Sequence, residues 1–426
     1  MKFAHIYNET VENMRLALLS LWAPGNHPMR KAIEELFDRE PLITEPVFQS
    51  TFSWENVDND NWRSSLNPNV WEKLEEIRRK RATQTGKVFK PFVPFKHQAE
   101  SWEALAKGKS IVVTSGTGSG KTECFMYPVL SDLYEQPKSN AIQAIFLYPL
   151  NALMEDQKTR LSEYCEATQL HFAVYNGDTP EYHATDELLP CEIGTRDLIR
   201  DNDNHGTRPQ ILLSNPSMLE YILVRSRDQK MLQESRGKLR WIVIDEAHSY
   251  SGSSAVELAY QIKRIIDAFG GVEANKDLRF ACTSATMGSK EGKDSLASFI
   301  STIIGQPVEK IQVIDGKRLV PQLDKGKLTD ELRKDLTLPS SKRVLQLREK
   351  INNVPGMTLN QIWGCLMPEK AYDVQNALQL VDKLCELSID GNPVMSLRAH
   401  FFMRAISGLY ACGNPDCKGT SGTPFG

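Results

Sequence analysis

The sequence has no excess of positive charge. Lys and Arg number 51 against 54 Asp and Glu, a net charge of −3, so no global basic field announces nucleic acid and any such site must be a local groove. Long apolar runs are missing as well. The amino end, Met1-Lys2-Phe3-Ala4-His5, lacks the long apolar run of a signal peptide, and no apolar stretch is long enough to cross a bilayer. No membrane partner is therefore expected, and a cytoplasmic location is the default. A disulfide grammar is also wanting. The eight cysteines are scattered through apolar segments apart from one close pair near the end, which fits a reducing compartment. There is no internal repeat and no low-complexity tract. What remains is an ordinary soluble composition, 41% hydrophobic and 25% charged, over 426 residues, too long for one domain and suited to two or three.

The chain is organised around Ile111-Val112-Val113-Thr114-Ser115-Gly116-Thr117-Gly118-Ser119-Gly120-Lys121-Thr122. A β-branched strand runs into a Gly-rich turn and then a helix. Glycines let the backbone take conformations a Cβ forbids and come close to a ligand. Successive N–H groups of Ser115 to Gly120 then cradle phosphates at a helix N-terminus. Lys121 would reach the β- and γ-phosphates and the Thr122 hydroxyl would sit on Mg²⁺. The strict pattern has Gly where Ser115 stands, a slot that tolerates small residues. The bland alternative is a chance Gly/Ser loop.

Residues 1–90 read as a helical N-terminal region. Val11, Met14, Leu18 and Leu21 share one helical face, a second helix runs from Met29 to Phe37, an extended aromatic segment spans Glu45–Trp54, and helix returns from Val70. The basic run Arg78-Arg79-Lys80-Arg81 reads as a solvated helix end. Residues 91–305 alternate strands with helices, the signature of a parallel sheet with crossovers. Strands are expected at Lys109–Thr114, Ala141–Tyr148, His171–Tyr175, Gln210–Ser214, Trp241–Ile244 and Arg279–Thr283, mostly as continuous apolar runs covered on both faces. Helices should start near Lys121, Leu150, Ser217 and Ser254. Thr179–Arg208 reads as a long surface excursion. Residues 306–341 read as a linker and 342–426 as a helical accessory region. Thr358-Leu359-Asn360-Gln361 forms a capping box there, Asp373 caps a second helix, and a third begins near Ser396. The fold class is thus α/β, one doubly wound nucleotide-binding lobe flanked by helical regions.

The second chemical signal is Trp241-Ile242-Val243-Ile244-Asp245-Glu246-Ala247-His248, an apolar strand ending in two adjacent carboxylates. Ligands bind at the carboxyl ends of strands in such sheets. Asp245 would hold Mg²⁺ bridging terminal phosphates, and Glu246 would orient or deprotonate the attacking water. Taken alone, an acidic cap after a strand is an equal reading.

Together with Ser284-Ala285-Thr286, the block Asp245-Glu246-Ala247-His248 resembles the signature of superfamily-two DNA/RNA helicases of the DEAD/DEAH-box class. Other segments follow in that family's order. Phe95-Lys96-His97-Gln98 resembles the segment whose glutamine, here Gln98, reads the adenine edge. Tyr148-Pro149-Leu150-Asn151-Ala152-Leu153 and Ser214-Asn215-Pro216-Ser217-Met218-Leu219-Glu220 resemble two motifs that grip the nucleic-acid backbone, implying contacts from Pro149, Asn151, Ala152, Ser214, Asn215, Pro216 and Ser217. Ser284, Ala285, Thr286 and His248 would couple hydrolysis to nucleic-acid binding. The resemblance covers about residues 91–305 and implies a P-loop NTPase lobe of the RecA-like type, with Lys121 and Glu246 catalytic. Away from the family, each hydroxyl or amide in the backbone-gripping set is also a plain helix cap. A narrower resemblance, through Ile211–Tyr221, Asp245–Gly252 and Leu409-Tyr410-Ala411-Cys412, is to large bacterial repair and antiphage-defence helicases with a C-terminal cysteine-cluster domain.

The departure from the family is a missing second lobe. Its Gln- and Arg-rich motif, of the Gly-Arg-x-Gly-Arg kind, has no counterpart after residue 305, and such arginines are worth about 10³–10⁵ in rate. Cys412-Gly413-Asn414-Pro415-Asp416-Cys417 is half of a zinc knuckle, with Cys412 and Cys417 as two of four ligands. Two free thiols are the equal alternative. The expectation is the first motor lobe of a longer ATP- and Mg²⁺-dependent helicase or translocase on DNA, weak or inactive by itself, engaging a single-stranded tract or duplex junction. Zn²⁺ and a protein partner in a defence or repair complex belong to the full-length form. The competing expectation is a nucleotide-binding scaffold with little hydrolysis.

Overall fold

A computed structural model describes residues 2–25, 27–39, 41–116, 118–136, 139–182, 188–200, 208–284, 290–354 and 356–403. Thr117, Ala285, Thr286, Cys412 and Cys417 lie outside the described residues. The chain divides into two compact units, one running from Trp54 to Arg318 and the other combining the residues up to Ser53 with those from Leu319 onward. These limits differ from those read in the sequence, because residues 54–90 and 306–318 pack with the sheet.

The Trp54–Arg318 unit is built on a seven-stranded sheet. In space the strands run Phe172–Tyr175, Ile211–Ser214, Ala144–Leu147, Trp241–Ile244, Arg279–Ser284, Ser110–Thr114, Ile311–Asp315, every neighbouring pair parallel. Side chains alternate across it. Val113, Phe146, Leu213, Val243 and Ala281 enter one core, with Trp102, Tyr127, Met154 and Leu161 from the helices on that side. Val112, Ile145, Leu212, Ile242 and Cys282 enter the other, with Met218, Leu258, Ile262 and Ile300. Burial on both faces explains the uninterrupted apolar runs. The first core also takes in Trp62, Val70, Trp71 and Leu74, the Trp62 and Trp71 rings lying 4.7 Å apart. Helix Pro68–Gln84, capped by Asn67 with Pro68 at its first turn, is therefore part of this unit.

Three expectations are corrected here. Ile311–Asp315 is not linker but the edge strand beside Ser110–Thr114. Only Ile311 and Ile314 are buried, one toward each core, and Gln312 and Asp315 interrupt the continuous apolar run that marks a central strand. The Thr179–Arg208 excursion includes a buried part: Ile193, Thr195 and Ile199 are covered, and Arg200 donates to Asp228 and Glu181. The basic run is anchored as well. Arg78 lies 3.7 Å from the Phe92 ring centroid and donates to Tyr127, while Arg81 pairs with Glu163.

The other unit has helices Phe3–Trp22, His27–Arg39, Lys325–Arg333, Ser341–Asn352, Leu359–Leu366 and Val374–Glu386. On the first helix Met14 and Leu18 pack against the cluster around the buried Leu19, as expected, whereas Leu21 is exposed. The Thr358 capping box and the Asp373 cap are present. Asp382 accepts the N–H groups of Phe3 and Ala4, satisfying two donors at a helix start. The third helix expected near Ser396 is instead strand Leu397–His400, which pairs antiparallel with Val47–Ser50. Its alternating pattern is short, and the partner comes from far away in the sequence. Among the described residues no helix is long and apolar enough to cross a membrane.

Candidate nucleotide and nucleic-acid site

The Ser110–Thr114 strand delivers the Gly-rich loop to the carboxyl edge of the sheet. Gly118 and Gly120 have φ of +73° and +72°, a conformation that needs glycine. Gly120 also has no room for a side chain, since a Cβ there would stand 2.4 Å from Gln98 Nε2. The loop is held from beneath. Ser115 and Ser119 share a hydrogen bond of 2.6 Å between buried hydroxyls. His97 Nε2 bonds the Ser119 carbonyl at 2.9 Å, Gln98 Nε2 donates to the Gly120 carbonyl at 3.1 Å, and Trp102 Nε1 donates to the Glu123 carbonyl at 2.9 Å. Burial lowers the pKa of His97, which keeps the ring neutral. Gln98 Oε1 accepts from Phe95 N–H at 2.9 Å, so this side chain braces the loop and is itself buried.

The acidic pair reaches the same edge two strands along, since Arg279–Ser284 lies between Trp241–Ile244 and Ser110–Thr114. Lys121 spans that gap, its Nζ 3.6 Å from Glu246 Oε1. Glu246 takes a left-handed backbone, φ +49° and ψ +47°, unusual for a side-chain-bearing residue and typical of strained functional turns. Its other carboxylate oxygen lies 3.2 Å from His248 Nδ1. Burial raises the pKa of Asp245 and the Glu246 charge adds to this, against a Thr283 hydrogen bond and the Lys121 charge. Thr283, fully buried, was not expected in the site. It donates to the Asp245 carboxylate and accepts the Glu246 N–H at 2.9 Å. Its only sequence signal was adjacency to Ser284, which ends the Arg279–Ser284 strand.

The oxygen donors of Thr122 and Asp245 suit a hard divalent cation, and a buried carboxylate whose ionisation is disfavoured is suited to one. Thr122 follows Lys121 at the start of helix Lys121–Glu135.

On the neighbouring strand ends, Asn215 caps helix Pro216–Val224 through the Met218 N–H at 2.8 Å and donates to Asn151 Oδ1 at 2.9 Å. Asn151 in turn donates to Asp178 at 3.1 Å. Asn151, Ala152 and Ser217 are exposed and Pro149, Asn215 and Pro216 half-buried. Ser214 differs from the expectation: its hydroxyl is fully buried and donates to the Tyr175 carbonyl at 2.6 Å, leaving the side chain no surface to offer. A separate cavity of about 1210 Å³ opens at the amino ends of the strands, lined by residues such as Arg240, Tyr260, Lys263 and Arg279, away from this chemistry.

A parallel-sheet lobe whose Gly-rich loop faces an acidic pair defines a class of architecture, and the comparisons with known proteins narrow it. Residues 95–294 match the family model described as DEAD/DEAH box helicase, and that part of the chain is a domain of this family. The chain is similar to the Druantia protein DruE of Escherichia coli, 23% identical over 78% of this chain and 26% of the relative. It is also similar to the uncharacterized ATP-dependent helicase YprA of Bacillus subtilis, 32% identical over 45% of this chain and 23% of the relative. It thus spans about a quarter of the length of these relatives. Among solved structures, the DUF1998 helicase MrfA bound to DNA and AMPPNP is 21% identical with a TM-score of 0.44, over 80% of this chain and 43% of that one.

Proposed function

We propose that the chain is the ATP-binding motor region of a DNA helicase or translocase, at work in phage defence or DNA repair. The supporting observation is the 3.6 Å approach of Lys121 to Glu246, which joins phosphate loop and acidic pair at one edge of a parallel sheet. In this reading Lys121 exchanges Glu246 for the β- and γ-phosphate oxygens of ATP, and the loop amides around Gly118 and Gly120 take the rest. The released Glu246 carboxylate orients water and accepts its proton, while Thr283 keeps its backbone turn in place. Thr122 and Asp245 would hold Mg²⁺, which would neutralise charge at the terminal phosphates. Asn151, Asn215 and Ser217 offer amides and a hydroxyl to nucleic-acid phosphates, contacts that position without reading sequence. DNA as the partner is favoured by the resemblance of the sequence motifs to the large bacterial repair and antiphage-defence helicases. Ser284, Ala285, Thr286 and His248 would pass the state of the acidic pair to that surface, and Cys412 and Cys417 would supply two of the four ligands of a Zn²⁺ site.

The test measures ATP binding and hydrolysis with and without single-stranded DNA. Lys121→Ala is expected to abolish ATP binding, and Glu246→Gln to bind ATP without turning it over. Full hydrolysis in either variant refutes the assignment. Tight ATP binding by the wild type with no turnover on any nucleic acid favours the scaffold reading instead.

A further inference from the structure

The phosphate loop has a neighbour that none of the helicase motifs includes. Trp54 and Arg318 form an antiparallel bridge, reinforced by the Glu55 N–H donating to the Lys317 carbonyl at 2.9 Å. The Arg318 guanidinium lies over the Trp54 indole, 3.8 Å from the ring centroid. Both are pressed against the opening of the loop. A Cβ built on Gly116 would stand 3.3 Å from an Arg318 terminal nitrogen and 3.6 Å from the Trp54 ring. The indole is wedged from its other sides as well. It meets His97 edge-on at 5.6 Å, and a Cβ on Gly316 would clash with it at 2.9 Å and approach the Ser115 Cβ to 3.0 Å. Glycines at 116 and 316 thus let an aromatic plate, carrying a guanidinium, lie directly on the loop.

This arrangement has an electrostatic purpose. A nucleoside triphosphate brings several negative charges to a loop whose lysine faces two carboxylates, Asp245 and Glu246. A planar, permanently charged guanidinium stacked on an indole is pre-organised and weakly hydrated, which suits phosphate oxygens. Resting on the nucleotide-site reading above, we propose that Arg318, held by Trp54, is a further phosphate-binding residue, offered in cis to the triphosphate at the Gly116 end of the loop. It is a second cation beside Lys121, drawn from the segment that follows the edge strand.

The experiment titrates the full chain with ATP, ADP and AMP in the presence of Mg²⁺. One lost charge-assisted contact is worth about ten- to a hundredfold in affinity. Arg318→Ala is expected to weaken ATP by that factor, ADP by no more, and AMP within about twofold. If the alanine variant does not fold, Arg318→Gln, with similar reach and no charge, is read on the same series. An equal loss for all three nucleotides makes the stack a structural wall and overturns the proposal, as does no loss at all. Lys121→Ala is run in parallel. If it binds ATP normally, the nucleotide site itself is misassigned; if it loses ATP while Arg318→Ala does not, this inference alone fails.

Discussion

Replacing Thr283 by Val tests whether the acidic pair is held by the adjacent strand. The two side chains have nearly the same shape, so no cavity forms and the change isolates the hydroxyl. Two interactions vanish: the bond donated to the Asp245 carboxylate, and the acceptor for the Glu246 N–H at 2.9 Å. A hydrogen bond to a charged group is worth about 1.5–3 kcal/mol, and a buried donor left unpaired costs about 1–3 kcal/mol. Water reaches the turn, since the Glu246 side chain is 31% exposed, so part of the second loss is recovered and the expected sum is about 3 kcal/mol. At about 2–4 °C per kcal/mol for a unit of this size, Tm should fall by roughly 6–12 °C. The Asp245 carboxyl, relieved of one stabilising donor, should move further above its ordinary value. If Glu246 is the water-orienting carboxylate proposed above, the lost groups aim it, and kcat for ATP should fall by about 10- to 100-fold, with KM changing much less. Thr283→Ser keeps the hydroxyl and should restore kcat, at a cost of about 1 kcal/mol for the lost methyl. Thermal unfolding and steady-state ATPase measurements decide the matter. A Val variant with unchanged Tm and unchanged kcat, or a Ser variant as impaired as Val, refutes the reasoning.

Three further outcomes follow from the same geometry. Asp132 accepts from Arg240 at 2.6 and 2.7 Å, from Arg279 at 2.6 Å and from Trp241 Nε1 at 2.7 Å; Asp132→Asn removes the counter-charge that two poorly exposed guanidinium groups share, leaving Arg240 only the exposed Asp277, and should cost about 3 kcal/mol in denaturant unfolding. Burial pushes the Asp132 carboxyl up, but these donors carry it below its ordinary 3.8, so the gap between wild type and variant should hold above that pH and close as the pH falls below it. The His97 pKa is lowered from 6.5 by burial, so the unfolded chain takes up a proton that the native ring refuses. Stability should therefore decline as pH falls below 6.5, and His97→Asn should flatten that part of the slope; an unchanged slope would disprove the role. Gly120→Ala meets both a φ of +72° and a clash with Gln98. It should lose measurable ATP binding while retaining the far-ultraviolet circular dichroism of the wild type, and normal ATP affinity would show the loop tolerates what its geometry forbids.

The central strands, the phosphate loop and the acidic pair were legible in the sequence because each is a local pattern. A strand buried on both faces is an unbroken apolar run, a phosphate cradle is a Gly-rich turn before a helix, and the family signature adds their order. The capping box at Thr358 and the Asp373 cap are local too, needing three residues of reach. The edge strand Ile311–Asp315 escaped because its partial burial, Ile311 toward one core and Ile314 toward the other, leaves room for the polar Gln312 and Asp315, and Leu397–His400 because its partner, Val47–Ser50, lies at the opposite end of the chain. Ser214 carried the right residue type for a surface contact, yet its direction depends on the Tyr175 carbonyl of the adjoining strand. Thr283 between Asp245 and Glu246, Gln98 under Gly120, and Trp54 with Arg318 beside Gly116 are meetings of distant segments. Sequence determined which groups this chain possesses, the Gly-rich loop and the acidic pair among them; packing the parallel strands side by side decided which of them touch, because register and strand order are set by the whole core and not by any one stretch.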